Sequence, residues 1–278
     1  MNTKTSGLPA FLHIAILLIL TAILVDCSPS GSGNQATGVA APEAIEGFPS
    51  YSNGVIASVI YAVDGAIQEQ EKIIQALIAL PQVRKGEWEG MKETVAAFQK
   101  SWGDAGVYWF ALPDSRYYTV EKGLVDATLR DRPYFPKVMA GRKVIGELVV
   151  SKSTGQKSTI ITLPVQDEKG KVIGALGATL FLEPLTQGLV GGIVMPDGSL
   201  FYVLAGDGTT ALHMNLGLVF DNPLKKDSPT LKHAAEKMLS TESGEVEYGF
   251  AGFWKRVRYA TSPLTGWRFA FGLNTRKL

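Results

Sequence analysis

Apolar residues recur at the spacing of a helix face from Ile56 to Leu77, and Pro81 marks where such a helix must stop. We therefore predict one helix over residues 52–80. At about 1.5 Å per residue it is roughly 40 Å long, the length of a strut beside a body with two lobes. A second, shorter amphipathic helix is predicted by the apolar residues Trp88, Met91, Val95 and Phe98.

Beyond Gly103 the pattern changes to short strand segments separated by turn signals. Strands are predicted over residues 105–111, 116–120, 145–151, 158–165 and 171–182, with a helical insertion over 131–140 and a hairpin turn at 167–170. A similar order then repeats, with strands over 200–204 and 209–213, a helix over 229–239, and strands over 246–250, 253–259 and 267–271. This pattern predicts an α+β fold in which a long N-terminal helix precedes two stacked antiparallel-sheet lobes. In the first lobe we expect the helices on one side of the sheet.

The N-terminal 27 residues are typical of an export signal or anchor. Lys4 precedes an apolar run from Ile14 to Val25, which at about 12 residues is too short to span a membrane and fits the h-region of a signal peptide. Counting from Leu8 gives about 18 residues, so a short uncleaved anchor stays open. We expect an extracytoplasmic protein of the cell envelope, periplasmic or at the cell surface, held to the membrane by its N-terminus.

The run and the cysteine that follows it resemble a bacterial lipoprotein signal, in which that cysteine is lipidated and becomes the mature N-terminus. Cys27 takes this position here. Asp26 departs from the pattern, because the preceding residue is usually small and uncharged. A lipid on Cys27 and an uncleaved helix are therefore the two alternatives. Residues 28–49 are rich in Ser, Gly, Ala and Pro, which predicts a flexible tether with a reach of roughly 25 Å.

Charge and motif content exclude several classes of function. A formal net charge of +1 over 278 residues leaves no basic footprint, so we predict no nucleic-acid partner. The single cysteine excludes an internal disulfide framework and a cysteine-based zinc site, and the three histidines are scattered along the chain. No nucleophile elbow, phosphate loop or dinucleotide fingerprint occurs. We predict a protein that is not an enzyme and that needs no metal or cofactor.

The segment RDRPYF at residues 130–135 carries the candidate binding chemistry. Arg132 places a permanent cation beside Tyr134 and Phe135, which suits a small organic anion or a flat polar molecule. A purely structural role is the alternative. In that case Asp131 caps a helix, the two aromatic residues pack into the core, and the arginine stays in solvent.

The chain resembles the double Cache family, the extracytoplasmic sensor module of many chemoreceptors and membrane histidine kinases. The resemblance covers about residues 50–273 and rests on RDRPYFPKVMAG at 130–141, VVSKSTGQ at 149–156, LPVQDEKGKVIGALGATL at 163–180 and ATSPLTGWRF at 260–269. It implies two PAS-like lobes. The membrane-distal lobe, with the long helix, would cover residues 50–185, and the membrane-proximal lobe residues 186–278.

The resemblance also implies a ligand site in the distal lobe, between its central sheet and the helical insertion. Arg132 would hold a carboxylate or a similar group, and Tyr134 and Phe135 would wall the pocket. Family members that bind amino acids also use an Asp for the ligand ammonium, an upstream Tyr and a further aromatic residue. In this chain those three positions are occupied by Thr179, Ala127 and Val149.

These departures change the expected ligand. A hydrogen bond to a charged group contributes roughly 1.5–3 kcal/mol, so the loss of the Asp should weaken an α-amino acid by roughly ten- to a hundredfold. We predict instead a small carboxylate or an uncharged polar ligand, with further polar contacts from Tyr118, Ser151 and Thr179.

Two classes of function remain open from the sequence. In the first, the protein is a sensor that binds a small molecule and passes occupancy to a separate membrane sensor kinase or chemoreceptor, because no apolar segment of spanning length follows Val25. In the second, it is a structural or scaffold lipoprotein of the envelope with a degenerate pocket, as the lost Asp and Tyr suggest. His213, at the end of a predicted strand, is either an ordinary strand-end residue or a ligand contact.

Overall fold

The computed structural model of this protein describes residues 51–193 and 195–278. The signal or anchor segment with Cys27 and the tether over residues 28–49 lie outside these described residues. Among the helices that are described, none has the length and apolar character needed to cross a membrane.

Three helices begin the described chain. They are α1 (Ser52–Ile78), α2 (Pro81–Arg84) and α3 (Trp88–Trp102). The predicted long helix is confirmed, and its 27 residues correspond to a length of about 40 Å. It ends just before Leu80, which has an extended backbone, as expected for a residue that precedes a proline.

We call the first lobe the distal lobe, after the position that the family resemblance implies. It is a six-stranded antiparallel sheet with strand order β3-β2-β1-β6-β5-β4. Its elements are β1 (Gly106–Ala111), β2 (Arg116–Thr119), β3 (Gly123–Thr128), α4 (Phe135–Met139), β4 (Val144–Val150), β5 (Lys157–Gln166) and β6 (Val172–Phe181). The sequence did not predict β3. The helical insertion was predicted over ten residues, but only the five of α4 are helical. Pro133 disfavours helix at Arg132, whereas Pro136 lies in the first turn of α4, where proline is tolerated.

We call the second lobe the proximal lobe for the same reason. It is a five-stranded antiparallel sheet with strand order β8-β7-β11-β10-β9. Its elements are α5 (Leu182–Gly191), β7 (Ser199–Leu204), β8 (Thr210–His213), α6 (Pro229–Ser240), β9 (Ser243–Phe250), β10 (Phe253–Thr261) and β11 (Arg268–Lys277). The prediction of two antiparallel lobes after one long helix is therefore confirmed. Helix α5, which leads from the first sheet to the second lobe, was not predicted.

A continuous hydrophobic core joins α1 to both sheets. It contains Ile67, Ile74 and Leu77 of α1, all fully buried, together with aromatic residues of both lobes. Two smaller clusters lie on the opposite faces of the sheets, under α4 in the distal lobe and under α6 in the proximal lobe. The expectation that helices cover only one side of the first sheet was wrong, because α4 packs on the face that α1 leaves open.

Polar contacts fix the two lobes against α1 and against each other. Both carboxylate oxygens of Asp64 on α1 accept from the Ser262 hydroxyl at 2.8 Å. Arg258 donates to Glu245 at 2.8 Å and to Asn53 at 3.2 Å. Between the lobes, the Trp267 indole N–H donates to the Gly146 carbonyl at 3.2 Å. Because the indole is 1% exposed, this bond is shielded from water.

Replacing Trp267 by Phe removes that indole N–H and with it the bond to the Gly146 carbonyl. We expect the free energy of unfolding, measured with urea, to fall by about 1–3 kcal/mol. Trp254→Phe is the control, because Trp254 is half-buried and its ring stacks with Arg276, whose guanidinium carbon lies 4.9 Å from the ring centroid. Equal losses in the two variants would contradict a specific contribution from the bond between the lobes.

Candidate functional site

The candidate site lies on the face of the distal sheet that points away from α1. Side chains alternate between the two faces of a strand, and the register places Thr179 of β6 opposite Ile160 of β5. Val149 of β4, Tyr134 and Phe135 belong to the cluster on this face. Four predicted site residues are thus brought to one face of the sheet.

The segment before α4 forms turns that carry it over this face. The Arg132 N–H donates to the Leu129 carbonyl and the Phe135 N–H donates to the Arg132 carbonyl, both at 3.0 Å. Tyr134 and Phe135 are 2% and 7% exposed, whereas Arg132 is half-buried. Asp131 does not cap α4, because it pairs with Lys152 and the capping position is Tyr134, which makes no side-chain cap.

Arg132 lies beside two buried phenols. Its Nη2 donates to the Val150 carbonyl at 2.6 Å. Burial raises the pKa of both Tyr134 and Tyr117, and the nearby Arg132 charge opposes that rise in each. In the part of the chain that the structure describes, no hydrogen bond involves the Tyr134 hydroxyl. The site therefore presents a cation beside a phenol hydroxyl that makes no hydrogen bond within the described residues.

Serine and lysine groups extend this polar region. The hydroxyls of Ser151 and Ser153, both buried, lie 3.2 Å apart. A hydrogen bond from Ser153 lowers the pKa of Tyr117, and Lys122 donates to the Ser153 carbonyl. We call Tyr117, Lys122, Arg132, Ser151 and Ser153 the distal polar edge. It has two positive side chains and three hydroxyls.

Trp109 fills the middle of the same face. A Cβ atom added to Gly177 of β6 would overlap the indole, so the ring lies directly on that strand. Its Nε1 donates to the Thr179 hydroxyl at 3.0 Å. The position where the family resemblance places a carboxylate for an ammonium group thus carries a hydroxyl that already accepts from the protein.

The structure does not bring Tyr118 to this site. Its ring packs on the α1 side of the sheet and stacks on Trp88, with ring centroids 5.4 Å apart. Its neighbour Tyr117 faces the site instead. A shift of one residue moves a strand side chain to the other face, and two adjacent tyrosines in RYYT give no sequence signal for the choice.

Trp109 was also missed, for a related reason. All six residues of β1 are buried, so the strand shows no alternation that assigns its residues to one face. Ala127, at the position of the upstream tyrosine, is half-buried and packs against the cluster on this face.

Comparisons with known proteins bear on this architecture. No protein-family model and no curated protein matches the sequence. Among solved structures, the extracellular domain rpHK1S-Z16, assigned to a histidine kinase, aligns with a TM-score of 0.68 at 14% identity over 81% of this chain and 94% of that one. The ligand-binding domain of the Pseudomonas aeruginosa amino acid chemoreceptor PctB, in complex with L-Gln, aligns with a TM-score of 0.65 at 14% identity over 82% and 91%.

This chain has a double Cache fold. A third match, the extracellular ligand binding receptor from Desulfohalobium retbaense, has a TM-score of 0.64 at 14% identity, and covers 81% of this chain and 40% of the receptor chain. At 14% identity, these superpositions establish the fold alone.

The proximal lobe of this double Cache fold contains a cavity of about 60 Å³ between its sheet and α6. His213 lines it, stacked on Tyr202 with ring centroids 6.0 Å apart. The Nδ1 atom of His213 accepts from the Asn215 N–H at 2.8 Å. Burial, and secondarily the charge of Lys255, lowers the pKa of His213 to about 4. The ring is therefore neutral at pH 7, with its proton on Nε2.

The pKa of His213 predicts a pH dependence of stability. Between pH 6.5, the usual pKa of a histidine, and about pH 4, the unfolded chain binds a proton at His213 that the folded chain does not. The contribution of neutral His213 to the free energy of unfolding is complete above pH 6.5 and is lost as the pH falls toward 4. The loss is at most about 3 kcal/mol.

Urea unfolding at a series of pH values in this window checks the prediction. The His213→Gln variant should lose less stability than the wild type on acidification. His233→Gln is the control, because His233 is exposed on α6 and should leave the wild-type pH dependence intact. Parallel pH curves for the wild type and the His213 variant would refute the prediction.

Proposed function

We propose that this protein is an extracytoplasmic sensor that binds a small molecule at the distal polar edge. The observation that carries the proposal is the Arg132 guanidinium, which is held at the Val150 carbonyl with its charge acting on the buried side chain of Tyr134. An oxygen atom of a ligand would accept from the Tyr134 hydroxyl and from a further N–H of Arg132.

The charge of the edge favours an acceptor ligand. Arg132 and Lys122 are its two charged side chains, and both donate to backbone carbonyls. Asp131 is engaged with Lys152, and Thr179 accepts from Trp109. The two carboxylates whose charge acts on Tyr134, Asp131 and Glu147, pair with Lys152 and Lys137, so a ligand ammonium would have to compete with these lysines. The ligand we propose is a small carboxylate, or an uncharged polar molecule with an acceptor oxygen, held by Arg132 with Tyr134, Phe135, Val149 and Ser151 around it.

A contact between the insertion and α1 supports a sensory role. Lys143 lies between α4 and β4, and it donates to Glu71 of α1 at 2.7 Å. On the proximal side, α1 is bound by Ser262 through Asp64. A shift of the insertion on ligand binding would thus act on the helix that both lobes share. We propose that occupancy passes from there to a membrane sensor kinase or chemoreceptor, the classes from which the extracellular neighbours come.

The second candidate function is a structural or scaffold role. Trp109 favours it, because the indole occupies the centre of the face on which a ligand would lie. In that case protein side chains would fill this face of the distal lobe. Arg132 and Lys122 would serve only to bind backbone carbonyls.

Thermal unfolding against a ligand panel separates the two functions. The panel contains organic acids, amino acids, amines, purines and sugars. At a concentration of about 100 times Kd, a ligand stabilises by roughly 2.7 kcal/mol, which for this size is a rise in Tm of roughly 5–10 °C. We expect a shift with one class of small acceptor ligand, its loss in Arg132→Ala, and its retention in Arg130→Ala.

Arg130 is a matched control because it is exposed and lies two residues from Arg132. Its replacement by Ala removes the same charge. Binding that survives Arg132→Ala unchanged would reject the proposed site. A panel in which no compound shifts the wild-type protein would favour the scaffold function.

We also propose that a lipid on Cys27 anchors the protein, with the uncleaved N-terminal helix as the alternative. The intact mass of protein extracted from membranes checks this. The expected mass lacks residues 1–26 and includes a lipid, and in Cys27→Ala the cleaved, lipidated species should be absent. A wild-type mass that retains residues 1–26 would exclude lipidation of Cys27 as the mature N-terminus.

A further inference from the structure

We propose that the proximal lobe carries a second ligand site, in the cavity between its sheet and α6, for a small uncharged molecule with an apolar end and a hydrogen-bonding end. This site is separate from the distal polar edge and uses none of its residues.

The size of the cavity sets the size of the ligand. Its volume of about 60 Å³ is enough for about four water molecules, or for a molecule with a similar number of non-hydrogen atoms. One wall is β7, β8 and β9, and the opposite wall is α6, where Ala234 and Ala235 face the space. Two alanines on the inner face of this helix leave the room that larger side chains would fill.

Two buried phenols give the cavity hydrogen-bonding groups that the protein satisfies only weakly. The Tyr202 hydroxyl donates to the sulfur of Met238 at 3.4 Å and accepts from the Tyr248 hydroxyl at 3.3 Å. Hydroxyl bonds are usually about 2.7–2.8 Å long, and a thioether is a weak acceptor. Both tyrosines are buried, at 7% and 3% exposed. A ligand oxygen would give Tyr202 or Tyr248 a stronger partner than either has in the protein.

His213 adds a third donor. Its Nδ1 is occupied by the Asn215 N–H, so Nε2 carries the proton, and that atom makes no hydrogen bond within the described residues. The ring lines the cavity beside Tyr202. Three donors from neutral side chains therefore surround one space.

The charges of the lining balance, which favours an uncharged ligand. Asp221 and Lys226 are the charged residues of the wall, and they pair with each other. Lys255 acts on His213 from outside the lining and donates to Asn274 at 2.8 Å. A charged ligand would lose its hydration here without a free counter-ion in the wall. Leu231, Met238 and Phe250 provide the apolar side.

Three probes of nearly equal shape test the charge preference. They are propionamide, propionate and propylammonium, which are uncharged, negative and positive at pH 7. The readout is the NMR signal of the Met238 methyl group in the full-length protein, labelled at its methionine methyls and held in mild detergent. We expect propionamide to shift this signal in a saturable way, and each charged probe to bind at least tenfold more weakly.

Variants locate the binding. Ala235→Leu should abolish the response by filling the cavity. Tyr248→Phe keeps the packing, removes one hydroxyl, and should weaken propionamide by about three- to tenfold. The exposed control His233→Gln and the distal variant Arg132→Ala should both respond as the wild type does, which keeps this test independent of the distal site.

Three results would overturn the proposal. The first is a Met238 signal that propionamide leaves unchanged at saturating concentrations. The second is undiminished binding in Tyr248→Phe, which remains informative if Ala235→Leu does not fold. The third is tighter binding of propionate or propylammonium than of propionamide.

Discussion

Burial of one side of α1 against both sheets is the interaction on which this fold depends. Each sheet has a face that must be covered, and the fully buried Ile67, Ile74 and Leu77 contribute to one core that reaches both. Burial of such a side chain stabilises by about 1.5–3 kcal/mol. Tertiary packing of this kind, rather than helix propensity, supplies most of the stability of a helix in a protein. The outer faces of the sheets are then left for α4 and α6.

The parts of the fold that the sequence predicted are those with a strong period. Helix α1 shows an apolar residue at each turn of its buried face except the one that carries Gln70 and Glu71, and Pro81 fixes its end to within two residues. Strand β3 was missed because only Val125 of its six residues is buried, so it shows no period. Helix α5 was missed because Pro184 and Gly188 argue against helix, although packing of Leu185 and Leu189 into the core favours it.

The candidate site was predicted in part for a similar reason. Arg132, Tyr134 and Phe135 form a local pattern, which a single sequence reveals. The choice between Tyr117 and Tyr118, and the position of Trp109 on Gly177, are set by strand pairing between segments far apart in the chain. The proximal cavity arises likewise from the approach of α6 to β7 and β9, and no short motif encodes it.

The bond between Trp267 and Gly146 joins the two sheets directly, in addition to the packing of both sheets on α1. Gly146 lies at an irregularity of β4, the strand whose far end supplies the carbonyl that binds Arg132. The two sheets are therefore connected both by this bond and through their shared core with α1. If ligands occupy both lobes, thermodynamic linkage requires that each changes the affinity of the other by the same factor. A chain with this construction would then respond to the two ligands jointly rather than to each independently.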